Sequence, residues 1–406
     1  MPTIPSYPKR EQALGIFAGF MWFVAWVVIS ILVWRAPMSH SDCGVYATAA
    51  QDWWAGRGVY LHNFGIDGFL YLPQFALAYT PFALMGHPAG DLGWRALGLG
   101  LFATGVWRMT RILSPSRHLL VFALATAATL PPAMASLRNG QANLHIAGLM
   151  LQTAAELSRG RWWPAVFWLL AGVVIKPIII AMVLLSAVVY RPLIWRLALG
   201  IPFILLFPFA FQKTDYVIAQ YHAYAQVLNV SSAPPDLYCN IRGLLGKMGW
   251  VMSRWIFNAI ALTAAAATLG LCLLARRRWM EPLRAFFLLG FAACFLMLFN
   301  PRTESNSYVM LAPVIALPAS IFICVVDRPR ASTFLYVLSF MLVCDGWAYH
   351  QTENWLKPLT CLIVWALLIF AMLSHPEEES LAPERELHRA FVTAGQARVE
   401  SQLAGK

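Results

Sequence analysis

The sequence predicts an all-α polytopic membrane protein with about twelve transmembrane helices. The first observation is composition: 59% of the 406 residues are hydrophobic and only 12% are charged, about half the charged share of a soluble domain. The second is spacing, because the apolar residues form runs of roughly 17 to 25 residues, and such a helix crosses about 30 Å of hydrocarbon. The third is that arginines concentrate in short connectors, as the positive-inside rule requires of cytoplasmic loops. The net charge of +11 therefore does not indicate nucleic-acid binding.

The candidate spans follow in chain order. The first, from Gln12 to Trp34, is long and lacks a small-residue cleavage pattern after it, so it is a retained helix rather than a signal peptide. The others are 91–113, 118–136, 141–157, 163–175, 178–190, 193–211, 251–275, 283–299, 307–325, 333–350 and 357–373. Residues 374–406 are polar, so we expect one integral-membrane domain, 1–373, and a cytoplasmic tail, 374–406.

The arginine clusters decide how the apolar run at 69–86 is used. All of them are cytoplasmic if 163–190 is a hairpin of two short helices that turns outside at Lys176-Pro177, and if 69–86 does not fully cross. The alternative lets 69–86 cross and makes 163–190 one kinked span, which places five arginines outside between 108 and 161. We prefer the first topology, and it leaves most costly polar groups on the external face.

Two external loops, 35–68 and 212–250, are too long to be simple connectors. Residues 43–58 can form a helix on the membrane surface with Trp53 and Trp54 at headgroup level. Residues 216–228 carry an aromatic stripe at helical spacing: Val217, Tyr221, Tyr224 and Leu228. Of the seven cysteines, Cys43 and Cys239 are the two that could pair outside the membrane, since the other five lie in predicted spans.

Four short motifs, all external in this topology, resemble one enzyme family in their residues and their order. They are Ser41-Asp42-Cys43-Gly44-Val45-Tyr46 with Gly58-Val59-Tyr60 and Tyr71-Leu72-Pro73; Asn139-Gly140-Gln141-Ala142-Asn143; Ala171-Gly172 with Ile175-Lys176-Pro177; and Asn300-Pro301 through Asn306-Ser307-Tyr308 and Pro313. The chain resembles polyprenyl-phosphate-sugar glycosyltransferases of the GT-C superfamily, and is most similar to glycosyltransferase family 87, over roughly residues 12 to 320. The resemblance implies a GT-C-like fold in a bacterial cytoplasmic (inner) membrane, with the active site on the periplasmic side.

The resemblance also implies an inverting transfer of a sugar, possibly mannose, from a polyprenyl phosphate to a hydroxyl of a lipid or glycan acceptor. That reaction needs a carboxylate base, cations or amides for the leaving phosphate, and an apolar groove for the lipid. Asp42 occupies the family's motif position for the base, although it could also cap the helix that starts near Cys43. Asp52 is the second carboxylate, expected to be solvated. The groove could be lined by Phe69, Phe75 and Phe82.

The remaining site residues follow from the motifs and from the external loops. Lys176 precedes Pro177 after an apolar run, and a charged lysine at membrane depth must be paired or face a water-filled cavity. We assign it to the donor phosphate together with Arg302 and Arg138. The expected sugar and acceptor contacts are Gln141, Asn143, Tyr46, Tyr60, His222, Glu304, Asn306 and Tyr308.

The chain departs from the family in two places. It has Tyr71-Leu72-Pro73-Gln74 where members often carry Tyr-Pro-Pro, and Glu304, Ser305 and Asn306 where some members have a histidine. Either His222 or His145 substitutes for that histidine, or none is needed. No tight Asp/Glu/His cluster indicates a divalent metal, so we expect no cofactor. The lack of a Gly-rich phosphate loop agrees with a lipid-linked donor.

Two other functions remain open from sequence alone. A transporter or flippase for a lipid-linked sugar would share the apolar groove and the lysine, but the sequence shows no internal two-fold repeat. An oligosaccharide ligase or polymerase would work at the same face with similar groups.

Overall fold

A computed structural model of the chain describes residues 9–36, 41–60, 68–230, 238–344 and 349–374. Every regular element within these ranges is helical. The α-helices are α1 (Lys9–Arg35), α2 (Cys43–Trp54), α3 (Pro73–Met85), α4 (Ala89–Leu113), α5 (His118–Asn139), α6 (Ala142–Leu157), α7 (Trp162–Ile175), α8 (Ile180–Val189), α9 (Leu193–Leu206), α10 (Thr214–Val230), α11 (Ile241–Lys247), α12 (Arg254–Arg278), α13 (Leu283–Phe299), α14 (Ala312–Cys324), α15 (Pro329–Met341) and α16 (Tyr349–Leu373). Short 3-10 helices occur at Pro177–Ile179, Phe207–Ala210 and Ser305–Met310.

Within the described ranges, six helical segments are long and apolar enough to cross a membrane. They are Glu11–Arg35, His118–Asn139, Leu193–Ala210, Arg254–Arg278, Ser305–Cys324 and Trp355–Leu373. The prediction of an all-helical, multi-pass membrane protein is therefore confirmed, whereas the count of about twelve spans stays a prediction. The tail after position 374 lies outside the described residues.

The apolar run at 69–86 forms α3, which has 13 residues. An α-helix rises 1.5 Å per residue, so α3 is about 20 Å long and shorter than the hydrocarbon core.

The pair α7 and α8 folds back on itself. The ring of Trp162, at the start of α7, lies 5.9 Å from the ring of Tyr190, just after α8. Trp163 lies 5.3 Å from Trp195 near the start of α9. The chain reverses at Lys176, whose backbone is extended (φ −151°, ψ 109°), as a following proline favours. Lys176 is thus at the tip of the hairpin, at the opposite end from the Trp162 and Tyr190 pair.

Helix α6 is the centre of the bundle. All 16 of its residues are buried, and it packs against α4, α5, α7 and α13. Glycines let α4 and α6 approach closely: a Cβ on Gly148 would lie 2.8 Å from the carbonyl carbon of Leu101, and one on Gly105 would lie 2.7 Å from the Cβ of Leu151. Small residues at such crossings are typical of packed helices in membranes.

Two expectations, about the helix at 43–58 and about the apolar groove, are wrong. Trp53 is fully buried rather than at headgroup level, while Trp54 is 48% exposed, because α10 lies over α2 and brings Tyr216 to 5.3 Å from the Trp53 ring. Phe69 and Phe75 are fully buried in a cluster of aromatic rings instead of lining an open groove. The two surface helices therefore cover each other and part of the core.

The cysteine pairing and the solvation of Asp52 are also corrected. Cys43 and Cys239 are both buried and form no disulfide with each other, because the Cys43 sulfur faces Gly140 and the guanidinium of Arg95. Asp52 is 3% exposed and forms an ion pair of 2.7 Å with Arg57. Arg57 follows just beyond the end of α2, so the chain supplies the partner that removes Asp52 from solvent.

Candidate active site

Three segments that are distant in sequence meet around the side chain of Asn143. Its amide nitrogen donates to the carbonyl oxygens of Gln141 (2.9 Å) and Asn306 (2.8 Å). Its own carbonyl oxygen accepts from Nζ of Lys176 at 2.7 Å. Gln141 in turn donates to a carboxylate oxygen of Glu304 at 2.8 Å. We call these five side chains, Gln141, Asn143, Lys176, Glu304 and Asn306, the polar network.

The turn between α5 and α6 sets the geometry of this network. Gly140 ends α5 in the left-handed conformation (φ +62°), the usual helix C-terminus that glycine permits. A Cβ there would lie 2.6 Å from the sulfur of Cys43. Gln141 is then the N-cap residue of α6, so the tight turn aims Gln141 and Asn143 at the hairpin tip.

Asp42 lies against the same turn. Its backbone N–H donates to the carbonyl of Asn139 at 2.9 Å. Although Asp42 is at the N-cap of α2, within the described residues its side chain makes no capping hydrogen bond. Instead, the Asp42 carboxylate acts electrostatically on Lys176, as do Glu304 and Arg302. The capping interpretation is therefore not what this geometry favours.

Burial lowers the pKa of the Lys176 ammonium, and the nearby carboxylates of Glu304 and Asp42 oppose that shift. The group lies between α7 and α8, at the hairpin tip. A bound anion such as a phosphate would favour the charged form for the same reason that the carboxylates do.

Two tyrosine hydroxyls lie beside Asp42. The hydroxyls of Tyr46 and Tyr71 are 2.8 Å apart, and the hydroxyl of Tyr60 donates to the backbone carbonyl of Tyr71 at 2.7 Å. Burial and the charge of Asp42 raise the pKa of the Tyr71 hydroxyl, so it stays protonated as a hydrogen-bond donor. Tyr60 fixes the Tyr71-Leu72-Pro73 segment through this bond.

The other expected site residues are placed differently. Arg302 is half-buried and acts electrostatically on Lys176, Tyr224 and Tyr238. The Arg138 side chain is exposed at the end of α5, and His222 is exposed on α10. Tyr308 is buried, with its hydroxyl donating to the carbonyl of Cys239 at 2.9 Å.

His145 lies in the helix core and stacks on Trp94, 3.7 Å between ring centroids. The structure thus places Asp42 and Arg302 near Lys176 of the polar network and Tyr46 against Tyr71. It keeps Arg138, His222 and Tyr308 out of the network's hydrogen bonds within the described residues.

Sequence reasoning missed Arg95, which is 1% exposed. Its guanidinium donates to the carbonyls of Leu137 (2.9 Å) and Arg138 (3.0 Å) and to the hydroxyl of Ser41 (3.0 Å). It also pairs with Asp91 at 3.5 Å. Arg95 therefore ties the end of α5 to the residue before Asp42. The sequence does contain a signal for this ion pair: Asp91 and Arg95 are opposite charges four residues apart within an apolar run.

Lys357 was missed as well. It is 5% exposed in α16 and donates to both the hydroxyl and the carbonyl of Ser305, the residue between Glu304 and Asn306. A charged residue at the start of the last apolar run was the sequence signal that could have indicated Lys357.

Among the described residues, no group of three or more His, Cys, Asp or Glu side chains could hold a metal ion, and the expectation of no cofactor stays a prediction.

Comparison with known protein families decides the class of this chain. The sequence model of glycosyltransferase family 87 matches residues 69–301, more than half of the 406 residues. The chain belongs to glycosyltransferase family 87. The matched region of this family 87 glycosyltransferase contains Gln141, Asn143 and Lys176, whereas Asp42 and Glu304 lie outside it. No curated protein and no solved structure matches the chain.

Proposed function

We propose that this family 87 glycosyltransferase moves a sugar such as mannose from a polyprenyl-phosphate donor to a hydroxyl of a lipid or glycan acceptor, with inversion of the anomeric centre. The observation that carries the proposal is the shared position of Asp42 and Lys176. Asp42, a carboxylate able to take a proton, lies against the α5–α6 turn through its bond to Asn139. Lys176, a half-buried cation able to hold a phosphate, bonds to Asn143 just after the same turn. Inverting transfer from a sugar phosphate requires both groups.

In this mechanism Asp42 takes the proton of the acceptor hydroxyl while the acceptor oxygen attacks the anomeric carbon of the donor sugar. The bond between that carbon and the phosphate oxygen breaks, and the phosphate leaves with the bonding electrons. Lys176 and Arg302 stabilise the charge that develops on the leaving group. Arg138 is exposed near the same turn, where it can meet the phosphate as it approaches. Phosphate is a good leaving group, so no strong general acid is needed.

The amides and tyrosines have the role of holding the reactants. Asn143, Gln141 and Asn306 already form a hydrogen-bonded chain next to Lys176, and exchange of such bonds with sugar hydroxyls fixes orientation. The protonated hydroxyls of Tyr46 and Tyr71 lie beside Asp42, where they orient the carboxylate.

The bilayer supplies the donor. The polar network is at the opposite end of the bundle from the arginines at 108, 111, 159 and 161. Because arginine-rich connectors are cytoplasmic, we assign the network to the periplasmic face of a bacterial inner membrane. A polyprenyl chain in the lipid would then bring its phosphate to the tip of the α7–α8 hairpin.

The proposal is tested by incubating the purified protein with a radiolabelled mannosyl phosphate of a synthetic polyprenol and a lipid-extract acceptor. We expect a single sugar to be transferred, the anomeric configuration to invert, and a nucleotide-linked mannose to give no product. Transfer from the nucleotide sugar would contradict the donor assignment. Movement of the donor across vesicles without transfer would indicate a transporter, and transfer of an entire oligosaccharide would indicate a ligase.

A further inference from the structure

An open groove runs along the bundle surface between α1, α4 and α5. Its volume is about 660 Å³, and its wall includes Gly15, Gly19, Trp22, Ala103, Trp107 and Phe122. Gly19 on α1 leaves space in the groove, since a Cβ there would meet no atom within 4 Å, whereas Gly15 lets Leu119 of α5 approach closely. From Gln12 to Trp22 the lined part of α1 is about 15 Å long, which is half the hydrocarbon thickness, so the groove spans one leaflet.

The groove begins beside a cluster of arginines, which we call the basic cluster: Arg108, Arg111, Arg159 and Arg161 around Glu156. Glu156 is 3% exposed and pairs with Arg108 at 2.5 Å and Arg161 at 3.3 Å. Partial burial and the charge of Arg108 lower the pKa of the Arg159 guanidinium, and Arg111 and Arg161 add to that effect. Among the described residues, two of these four guanidinium groups pair with Glu156, so the cluster has a local surplus of positive charge.

Shared residues join the groove to the basic cluster. Arg111 lies over the ring of Trp107, 5.9 Å from its centroid, and Trp107 forms part of the groove wall. Thr104, on the same wall, accepts a hydrogen bond of 2.9 Å from Gln152. The carbonyl oxygen of Gln152 accepts from Arg108. An apolar slot thus opens directly onto cationic groups.

We propose that this groove binds one anionic phospholipid, with an acyl chain between α1, α4 and α5 and the phosphate at Arg108 and Arg111. The depth of one leaflet fits an acyl chain rather than the much longer chain of a polyprenol. The surplus charge selects an anionic headgroup over a zwitterionic one, because basic clusters at helix ends attract anionic lipids. The site is at the opposite end of α6 from the polar network, so it does not depend on the proposed function.

The test uses the full chain in detergent micelles with added phosphatidylglycerol, or phosphatidylcholine with the same acyl chains. Bound lipid is counted by native mass spectrometry, and the melting temperature is recorded.

Gly19→Leu fills the groove, and no atom lies within 4 Å of a Cβ at Gly19. Gly270→Leu on α12 is the matched control, because its Cβ also meets no atom within 4 Å. Arg111→Gln removes a cation at the groove, and Arg277→Gln, which is exposed at the end of α12, is its control.

We expect phosphatidylglycerol to stabilise the wild type and both controls, and phosphatidylcholine to have little effect. Gly19→Leu should lose the retained lipid, and Arg111→Gln should bind it about fivefold more weakly. Equal stabilisation of all four variants, or equal effects of the two lipids, would overturn the proposal. A further arm adds undecaprenyl phosphate: if it displaces phosphatidylglycerol from the wild type but does not bind Gly19→Leu, the groove is a carrier site and the phospholipid assignment is wrong.

Discussion

Both ends of α6 carry buried polar side chains, but they are paired in different ways. At one end, Glu156 forms direct ion pairs with Arg108 and Arg161. At the other, Lys176 bonds to the neutral amide of Asn143, and among the described side chains no carboxylate lies within ion-pair distance of it. The carboxylates of Asp42 and Glu304 act on Lys176 only from a greater distance.

This difference distinguishes charged groups that stabilise the fold from charged groups that are free to act on a ligand. A buried carboxylate that is already paired has compensated most of its desolvation, and its main effect is on stability. A half-buried cation that bonds to a neutral amide, as Lys176 does, can still gain from an anionic ligand, which is the situation expected at a functional site. Variants at the two ends should therefore divide into those that change stability and those that change turnover.

The largest expected effect is on turnover in Asp42→Asn. We expect kcat to fall by about 10² to 10⁴, because asparagine cannot accept the acceptor proton. The melting temperature should change little, since asparagine has nearly the size of aspartate and can still accept hydrogen bonds through its amide oxygen. At the other end, Glu156→Gln should lower the melting temperature and leave kcat intact. Near-normal transfer by Asp42→Asn would remove Asp42 as the base, and Glu304→Gln, assayed in parallel, would show whether Glu304 has that role.

Lys176→Met should lower kcat/KM for the donor by about 10- to 100-fold, the value of a lost hydrogen bond to a charged group. Steady-state kinetics with the lipid donor would measure this loss. Arg161→Met at the paired end should leave the donor constants unchanged. If Lys176→Met is well folded and retains its donor KM and kcat, the phosphate contact does not exist.

The pH profile gives a second measure of Lys176. Because burial lowers the pKa of its ammonium, the charged form is lost as pH rises through that lowered value. We therefore expect kcat/KM of the wild type to decline on the alkaline side, at a lower pH than an ordinary lysine would give. Lys176→Met should lack this alkaline limb, and an identical limb in both proteins would assign it to another group.

Gly148→Ala tests whether the two ends depend on the close packing of α4 and α6. A Cβ at Gly148 would lie 2.8 Å from backbone atoms of α4, and such overpacking costs about 1–3 kcal/mol of unfolding free energy. Gly100→Ala on α4 is the control, because its Cβ meets no atom within 4 Å. Thermal unfolding followed by fluorescence would compare them. Equal stability of the two variants would mean that α6 can shift without loss.

Gln141→Leu should have the smallest effect, a rise of about 2- to 10-fold in the donor or acceptor KM, as expected for a neutral hydrogen bond. Gln152→Leu at the paired end should change only the melting temperature, because Gln152 bonds to Arg108 and Thr104. An unchanged KM with lowered stability for Gln141→Leu would make Gln141 a structural residue of the α5–α6 turn.

Much of the architecture could be predicted because it depends on local sequence. Apolar run lengths predicted the helical membrane class, and the four motifs predicted family 87, both of which are confirmed. The predicted turn at Lys176-Pro177 coincides with the tip of the α7–α8 hairpin, since proline restricts the preceding residue and a lysine is costly within the bilayer.

The wrong expectations all depended on tertiary partners. The pair Trp53-Trp54 predicted that Trp53 lies at headgroup level, but Tyr216, more than 160 residues later in sequence, covers it. Asp52 has a typical surface position in a helix, and only the backbone turn at Arg57 brings its partner close. Neither hydrophobic spacing nor the motifs contain that information.

The two ends of α6 also differ in when their partners are synthesised. Glu156 and Gln152 pair with Arg108, 48 and 44 residues earlier in the chain, so this end can be satisfied as soon as α6 leaves the ribosome. Asn143 can bond to Gln141 and Lys176 early, but its bond to Asn306 joins it to a residue 163 positions later. The end bearing the proposed catalytic groups is therefore completed only after α13 has been synthesised, later than the paired end.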